Sequence, residues 1–407
     1  MTDPSTQVAA QPQPRRRKKR RWAFIFVAMM IGAVVSLLLL EVLFRLCWTL
    51  PPAFAEFGQA GMYIPGEDGT PMLEPGYRGM LRFGSDQPNR VTINQQGMRG
   101  AEIAVRSSTQ KRILIGGDSL VFGYGVEDDE SLPACIERGL QKASVPAVVG
   151  NGGVPGFGSS HTVSRMVLLD REFEADALVV CGFLGNDAID DALPTRVVYG
   201  GLVHGWPMSQ LVQTSLRTRL AIHSRVALWI EAWIFTNKPE WSPLLSAVPD
   251  PRDIERGAGL PPPGNRLAGL FLDARDDNIS WPSTGKPVLP RLRGYLRESL
   301  QRAKKLAGTR PLVFVVLPTS WHINLDKRTK VLKQQGMNPQ DFELGLAQRR
   351  WMELAKELGI PAFDATPILR AAGRSEDLFI RDGGHLTVKG NKIVGQWLAE
   401  ELRTILP

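Results

Sequence analysis

The sequence predicts an α/β protein built around a parallel sheet with helices on both faces. From residue 111 onward, short apolar runs alternate with segments patterned as helices, which is the order along the chain that parallel sheets require. The runs are apolar throughout rather than alternately polar and apolar, as expected for strands covered on both sides. They are KRILIGG at 111–117, PAVVGNGG at 146–153, ALVVCGF at 177–183, PLVFVVLP at 311–318 and IPAFDA at 360–365.

Helices are predicted between these strands and at the C-terminal end of the chain. They are PACIERGLQKA at 133–143, SSHTVSRMVLLDREF at 159–173, RRWMELAKELG at 349–359 and KIVGQWLAEELRTIL at 392–406. The alternation stops between about 190 and 290, which we interpret as an insertion over one face of the sheet. We therefore predict a main domain at 111–407 that contains this insertion.

A membrane segment is predicted ahead of this domain. Residues 1–21 form a basic tail that ends in RRRKKRR, and residues 22–40 contain no charged side chain. A helix of that length spans roughly the hydrocarbon core of a bilayer. Because cations flank such helices on the cytoplasmic side, we expect 22–48 to be a single-pass anchor in the cell (inner) membrane. The N-terminus would be cytoplasmic and the main domain periplasmic or extracellular.

A cleaved signal peptide is the alternative to a retained anchor. Ala53-Phe54-Ala55 has the pattern of a cleavage site, but the apolar run is longer than the roughly 7–15 residues of a signal-peptide core. Glu41 and Arg45 also lie between the run and that site. We expect retention, and both alternatives place the bulk of the chain outside the cytoplasm.

Two segments lack the regular alternation. Residues 49–110 are rich in glycine and proline, which predicts an irregular linker subdomain that ends near TINQQGMRG at 92–100. Within the insertion, residues 211–235 predict a helical pair with arginines among apolar positions. Such a pair suits either a lid over a site or an element on the membrane surface. We favour the lid, because the insertion follows a strand end that carries polar residues.

Charge and cysteine content exclude two classes of protein. The net charge is +8, but RRRKKRR carries seven of the 49 basic residues, which leaves 42 against 41 acidic residues. This balance gives no basic footprint for nucleic acid. The three cysteines, Cys47, Cys135 and Cys181, do not make a disulfide framework in a chain of this size, and we expect the latter two to be buried.

Polar residues lie where the predicted strands end. Ser119 follows the first strand, NGGVPGFG at 151–158 follows the second, Asn186 follows the third, and Asp382 and His385 precede the last helix. The carboxyl ends of parallel strands meet at one edge of a sheet, where such folds bind ligands. These four segments therefore predict one site, whereas an ordinary turn is the alternative for GGDS alone.

The chemistry of these residues is that of ester cleavage by a serine. Ser119 suits a nucleophile, His385 its base and Asp382 the carboxylate that orients the base. The side-chain amide of Asn186 and the backbone N–H groups of Ser119 and Gly156 suit an oxyanion hole.

The same segments resemble the sequence blocks of the SGNH (GDSL) hydrolase superfamily. The resemblance implies a flavodoxin-like three-layer α/β/α sandwich, in which Ser119, Gly156, Asn186 and His385 are the four named residues and Asp382 completes the triad. The matching segments are GGDSL at 116–120, VPGFG at 154–158, GND at 185–187 and DGGH at 382–385.

The predicted function is a serine esterase that removes short, O-acetyl-like acyl groups from envelope polysaccharide or an exported glycan through an acyl-enzyme. Two alternatives stay open: an O-acyltransferase with the same triad, and a catalytically idle module that binds glycan or acts as a scaffold. The expected partners are the acylated carbohydrate, or another ester substrate, and the membrane. We expect no cofactor, metal ion or nucleic acid.

Other residues receive a structural interpretation. Asp187 is expected to be a structural hydrogen-bonding group. The other histidines lack ligands at metal-binding spacing, and His322 is expected to be a solvated loop residue rather than part of the substrate site. These histidines are His161, His204, His223 and His322. The tryptophans of the insertion are expected to lie in a core, and they are Trp206, Trp229, Trp233, Trp241 and Trp281.

Overall fold

The computed structural model describes most of the main domain and parts of the remaining chain. The described residues are 15–47, 62–66, 71–81, 88–192, 197–199, 202–204, 216–217, 224–238, 241, 268–277, 289–334, 336–380 and 384–406.

A five-stranded parallel sheet forms the centre of the main domain. We number its strands β1 (Lys111–Gly116), β2 (Ala147–Asn151), β3 (Ala177–Phe183), β4 (Leu312–Leu317) and β5 (Ala362–Asp364). Their order across the sheet is β5-β4-β3-β1-β2, and every neighbouring pair is parallel. This is the flavodoxin-like 2-1-3-4-5 order. Each of the five predicted runs forms one of these strands, so the predicted parallel α/β sheet is confirmed.

Five long helices cover the two faces of this sheet. We number them α1 (Leu132–Lys142), α2 (Ser159–Phe173), α3 (Leu289–Ala307), α4 (Leu346–Glu357) and α5 (Val388–Ile405). Side chains of α2, α3 and α4 share one buried core with alternate strand residues, and those of α1 and α5 share the other. Within β3, Leu178 and Val180 belong to the first core, whereas Val179 and Cys181 belong to the second. The domain is therefore a three-layer α/β/α sandwich, as predicted.

The N-terminal helix, Arg15–Cys47, precedes the sandwich. Its segment Arg21–Cys47 contains an apolar window with a mean hydropathy of 2.8, none of which is buried in the protein. By length and composition, this helix is long and apolar enough to cross a membrane. It covers nearly all of the predicted anchor.

The described part of 49–110 packs onto the loops that follow β1 and β2. It forms two antiparallel pairs, Tyr63–Pro65 with Pro71–Leu73 and Arg78–Leu81 with Asn89–Thr92. Its apolar side chains share a core with residues of those loops, and the members include Met62, Leu73, Val91, Ile93, Phe122, Tyr124, Val154 and Phe157. The domain boundaries themselves stay a prediction.

Only parts of the insertion belong to the described residues. Val197–Tyr199 pairs with Leu202–His204 as an antiparallel hairpin, and the segment Ala268–Phe271 is a short helix. The second half of the predicted helical pair is the helix Arg225–Asn237. Most of the first half lies outside the described residues. Cys135 and Cys181 are buried, as expected.

Candidate active site

A tight turn presents Ser119 at the carboxyl end of β1. Asp118 caps the short helix Ser119–Phe122, because its side chain accepts a hydrogen bond from the backbone N–H of Leu120 at 2.9 Å. Close packing requires glycine directly before Asp118, because a Cβ on Gly117 would lie 2.3 Å from the side chain of Val121. The GGDS sequence thus lets a strand turn at once into a helix that begins at the serine.

His385 lies against Ser119 at this edge of the sheet. Its Nε2 is 2.7 Å from Ser119 Oγ. Ser119 is 6% exposed and His385 is 5% exposed. His385 is placed by the approach to α5, where its backbone carbonyl accepts a hydrogen bond from Ile380 at 2.9 Å. The ring of Tyr124 packs beside the imidazole, with 5.5 Å between ring centroids. The turn that carries Ser119 and the segment that carries His385 therefore meet at the carboxyl edge of the sheet, where the sequence places both.

Asp382, the carboxylate assigned to orient His385, lies outside the described residues. A different carboxyl group approaches the serine itself. Oδ2 of Asp118 lies 3.4 Å from Ser119 Oγ, farther than His385 Nε2. The described geometry therefore contains the contact between Ser119 and His385, and the third member of the predicted triad stays a prediction.

The turn after β3 carries Asn186, whose amide is held by a neighbouring acid. Asn186 Nδ2 donates a hydrogen bond to Asp190 Oδ2, one helical turn further along. Since an amide nitrogen carries two protons, the second N–H remains available to a ligand. Sequence reasoning missed Asp190, although its position four residues after Asn186, at the start of a helix, was a usable signal. Asp187 accepts a hydrogen bond from the N–H of Phe183 at 2.8 Å, which matches its expected structural role.

The glycine-rich loop at 151–158 packs directly onto the serine turn. The N–H of Val154 donates to the carbonyl of Gly117 at 3.1 Å. A Cβ on Gly153 would lie 2.2 Å from the backbone nitrogen of Phe122, so only glycine permits this approach. Gly156, in the same loop, has a φ of +74°, which favours glycine. The glycines predicted near Ser119 thus serve close backbone contact.

Two buried arginines, which sequence reasoning missed, hold these loops in place. Arg99, in the INQQGMRG segment, donates to the carbonyls of Phe122 and Val126 at 2.9 and 2.7 Å. Arg165, on α2, donates to the carbonyl of Gly152 at 3.2 Å. Their exposed fractions are 4% and 0%. Both arginines thus hold backbone next to the Ser119 turn and link it to the segment 49–110.

The end of the insertion touches the turn that carries Asn186. The N–H of Gly269 donates to the carbonyl of Gly185 at 3.1 Å. A Cβ on Gly269 would lie 1.7 Å from the carbonyl oxygen of Leu184, so no larger residue fits without a shift of that turn. This part of the insertion therefore supports the site.

Buried carboxyl groups around Ser119 have raised pKa values. Burial raises the pKa of Asp118 to about 7, and the negative charge of Asp190 adds to the shift. Burial, together with the charge of Asp118, also raises the pKa of Asp187 well above its ordinary value. Charged carboxylates in such a site are costly. Part of this acidic set is therefore protonated near neutral pH.

Two expectations about other side chains are wrong. His322 is fully buried rather than solvated: its Nδ1 lies 2.7 Å from Thr319 Oγ1, and its Nε2 lies 3.5 Å from Asp273. Trp229, Trp233 and Trp241 are 40%, 52% and 65% exposed, so they do not lie in a core. Trp206, Trp281 and His223 lie outside the described residues.

Comparison with family models and with curated proteins gave no match. Among solved structures, the lipase/acylhydrolase from Enterococcus faecalis is similar over 73% of this chain and 97% of its own, with 12% identity and a TM-score of 0.38. The esterase EstA from Pseudoalteromonas sp. is similar over 72% and 97%, with 11% identity and a TM-score of 0.35. A family 3 carbohydrate esterase from Clostridium thermocellum is similar over 73% and 100%, with 12% identity and a TM-score of 0.35. Likeness at these TM-scores does not establish a function.

Proposed function

We propose that the chain is a serine esterase of the SGNH type. The observation that carries the proposal is the 2.7 Å contact between Ser119 Oγ and His385 Nε2 at the carboxyl edge of the sheet. A serine hydroxyl is a weak nucleophile unless a base within hydrogen-bonding distance takes its proton. This contact supplies that base, which speaks against the idle module.

The first half of the reaction makes an acyl-enzyme. His385 Nε2 accepts the proton of Ser119 Oγ as the oxygen attacks the ester carbonyl carbon. The tetrahedral intermediate then breaks its bond to the alcohol oxygen, and the imidazolium donates the proton to that leaving group. In the second half, water attacks the acyl group by the same proton path, which restores Ser119. Asp382 is the proposed acceptor for Nδ1–H of His385.

The oxyanion formed in each half needs hydrogen-bond donors placed in advance. The proposed donors are the backbone N–H groups of Ser119 and Gly156 and the second N–H of the Asn186 amide. Asp190 supports this role, because its hydrogen bond fixes the plane of the amide. The tight packing of the glycine-rich loop on the serine turn supports it too, since rigid donors cost no reorganisation during the reaction.

The proposed substrate is a short-chain ester, such as an O-acetyl group, on envelope polysaccharide or an exported glycan. The proposed location supports this choice. The N-terminal helix would be retained as a single-pass anchor in the cell (inner) membrane, with the basic tail in the cytoplasm and the catalytic domain in the periplasm or outside the cell. Acylated glycans are ester substrates that a domain at this location would meet.

Ester hydrolysis by the purified full chain tests the proposal. Aryl esters of increasing acyl length would be assayed with wild type, with Ser119→Ala and with Ser108→Ala, which changes an exposed serine just before β1, at the end of that strand opposite Ser119. Hydrolysis by wild type and Ser108→Ala, and its loss in Ser119→Ala, is expected. Hydrolysis by all three at one rate would refute the proposal. A parallel assay with a sugar acceptor distinguishes hydrolysis from acyl transfer by its product.

A further inference from the structure

The helix Arg225–Asn237 begins against the N-terminal helix. Glu41 accepts hydrogen bonds from Ser224 Oγ at 2.8 Å and from the backbone N–H groups of Arg225 and Val226 at 2.9 and 3.1 Å. These N–H groups have no partner within their own helix, because they belong to its first turn. Glu41 directly follows the uncharged run 22–40. The helix Arg225–Asn237 therefore begins beside the residue that ends the uncharged run of the N-terminal helix.

The contact between the two helices continues beyond this first turn. The rings of Phe44 and Trp229 are stacked, with centroids 6.0 Å apart and planes 23° apart. Phe44 lies three residues after Glu41, and Trp229 lies three residues after Val226. Over this stretch the two helices run in the same direction, side by side, and they lead away from the apolar run.

One face of the helix Arg225–Asn237 is apolar and exposed. Trp229, Ile230 and Trp233 are 40%, 45% and 52% exposed. Residues spaced by three and four positions share one face of a helix, so these three side chains form a patch. Trp229 joins this patch to the N-terminal helix through its ring contact with Phe44, and the sequence neighbours of Phe44 are also exposed and apolar, namely Val42, Leu43 and Leu46.

The end of the helix has the composition of a membrane interface. Lys238 places its ammonium group 6.0 Å from the ring centroid of Trp241, which is 65% exposed. Tryptophan concentrates at the boundary between lipid and water, and lysine there extends its charge toward water while its stem stays in contact with lipid. A lysine and a third tryptophan thus follow the helix that begins beside Glu41.

We propose that the face formed by Trp229, Ile230 and Trp233 contacts the outer boundary of the lipid bilayer that the N-terminal helix crosses. The inference rests on the proposed membrane anchor, and for the helix Arg225–Asn237 it takes the membrane-surface alternative in place of the expected lid. Exposed tryptophans also suit stacking on sugars, but a glycan does not account for Ile230 or for the continuity with the apolar N-terminal helix. Large exposed apolar patches mark interaction sites, and here the adjoining surface is already one suited to lipid. The contact gives the catalytic domain a second attachment and keeps its site near the membrane surface.

Lipid-attached quenchers test this contact in the full chain. Trp233→Cys, made in a Cys47→Ser background, would carry an environment-sensitive fluorophore and be reconstituted into phospholipid nanodiscs. Quenching would be measured with lipids that carry a nitroxide near the headgroup and, separately, with iodide in the water. Two control positions are exposed apolar residues: Leu38 within the N-terminal helix and Val105 in the main domain. Retained aryl-ester hydrolysis would show that each labelled chain is folded.

The expected result is lipid quenching at 233 and at 38, and iodide quenching alone at 105. Lipid quenching at 38 with only iodide quenching at 233 overturns the inference and leaves the anchor intact. Absence of lipid quenching at both 38 and 233 overturns the anchor as well. Protection of 233 from iodide only after polysaccharide is added overturns the lipid contact in favour of a glycan platform.

A variant of Glu41 tests how the helix is held. Glu41→Ala removes the acceptor for Ser224, Arg225 and Val226, and lipid quenching at 233 is expected to be lost or reduced while quenching at 38 is unchanged. Glu41→Gln keeps one acceptor oxygen and is expected to retain more of the signal than Glu41→Ala. Equal quenching at 233 in wild type and Glu41→Ala would show that the helix does not depend on this attachment.

Discussion

The imidazole of His385 and the hydroxyl of Ser119 lie 2.7 Å apart although 266 residues separate them in the chain. The sheet produces this contact, since β1 delivers Ser119 to its carboxyl edge and the segment before α5 brings His385 back to the same edge. Both side chains are almost fully buried within the protein.

The proposed oxyanion role of Asn186 predicts a loss in the rate of the chemical step. Asn186→Ala should leave the fold intact and lower kcat by roughly 10²–10³, about 2.7–4 kcal/mol, with little change in KM. The reason is that the amide meets negative charge only after the serine has attacked. Steady-state kinetics with a short aryl ester measures both constants, and circular dichroism controls for folding. An unchanged kcat would remove Asn186 from the oxyanion hole.

The hydrogen bond from Asn186 to Asp190 predicts a smaller effect of the acid. Asp190→Ala frees the amide to rotate, so kcat should fall less than in Asn186→Ala, again with KM nearly constant. The double variant should be no slower than Asn186→Ala, because Asp190 acts through the amide. Additive losses in the double variant would show that Asp190 acts by another route.

The buried carboxyl of Asp118 predicts that stability falls as pH rises. Its pKa is about 7 in the folded protein, whereas an aspartate in an unfolded chain has a pKa of about 3.9. Between these values the folded state keeps a proton that the unfolded state has lost. The contribution of Asp118 to the free energy of unfolding therefore declines as pH rises through this window and is fully present below it.

Asp118→Asn removes this titration and keeps a side-chain oxygen for the N–H of Leu120. Urea denaturation at several pH values between about 4 and 7 should give a shallower decline for the variant than for wild type. Some slope should remain, because the pKa of Asp187 is also raised. Identical slopes would mean that Asp118 does not hold a proton in this window.

The contact of Gly269 with the Asn186 turn predicts a matched pair of glycine variants. Gly269→Ala places a Cβ 1.7 Å from the carbonyl oxygen of Leu184, so the turn must shift, which should lower kcat and cost about 1–3 kcal/mol of stability. Gly294→Ala, in α3, meets nothing within 4 Å and should leave both quantities unchanged or slightly raise stability. Thermal unfolding and steady-state kinetics measure the difference. Equal behaviour of the two variants would contradict the supporting role of the insertion.

The elements that set the sheet and the Ser–His pair were predictable because each depends on local pattern. Uniformly apolar runs followed by polar turns predicted every strand of the sheet and the edge at which Ser119 and His385 meet. The supporting residues were not predictable in this way. Arg99, Arg165 and Gly269 act on backbone that is distant in sequence, and nothing in their immediate neighbours indicates which carbonyl they contact.

The tryptophans and His322 show a different limit. Helical spacing identifies the residues that share a face, but it does not say whether that face meets protein or another medium. Trp229 and Trp233 have the spacing of a core stripe and are exposed beside the N-terminal helix. His322 lies in a polar stretch that resembles a loop, yet Asp273, from the end of the insertion, covers it. In both cases the deciding contact comes from a remote segment.

Covalent labelling tests whether Ser119 is the nucleophile. The purified full chain would be treated with a fluorophosphonate, digested and examined by mass spectrometry for the modified peptide, alongside Ser119→Ala, Ser108→Ala and His385→Ala. We expect one adduct, on Ser119, in wild type and in Ser108→Ala, much slower labelling in His385→Ala, and none in Ser119→Ala. Labelling of Ser119→Ala to the same extent as wild type would contradict this expectation, because the serine at the end of β1 would then not be the nucleophile.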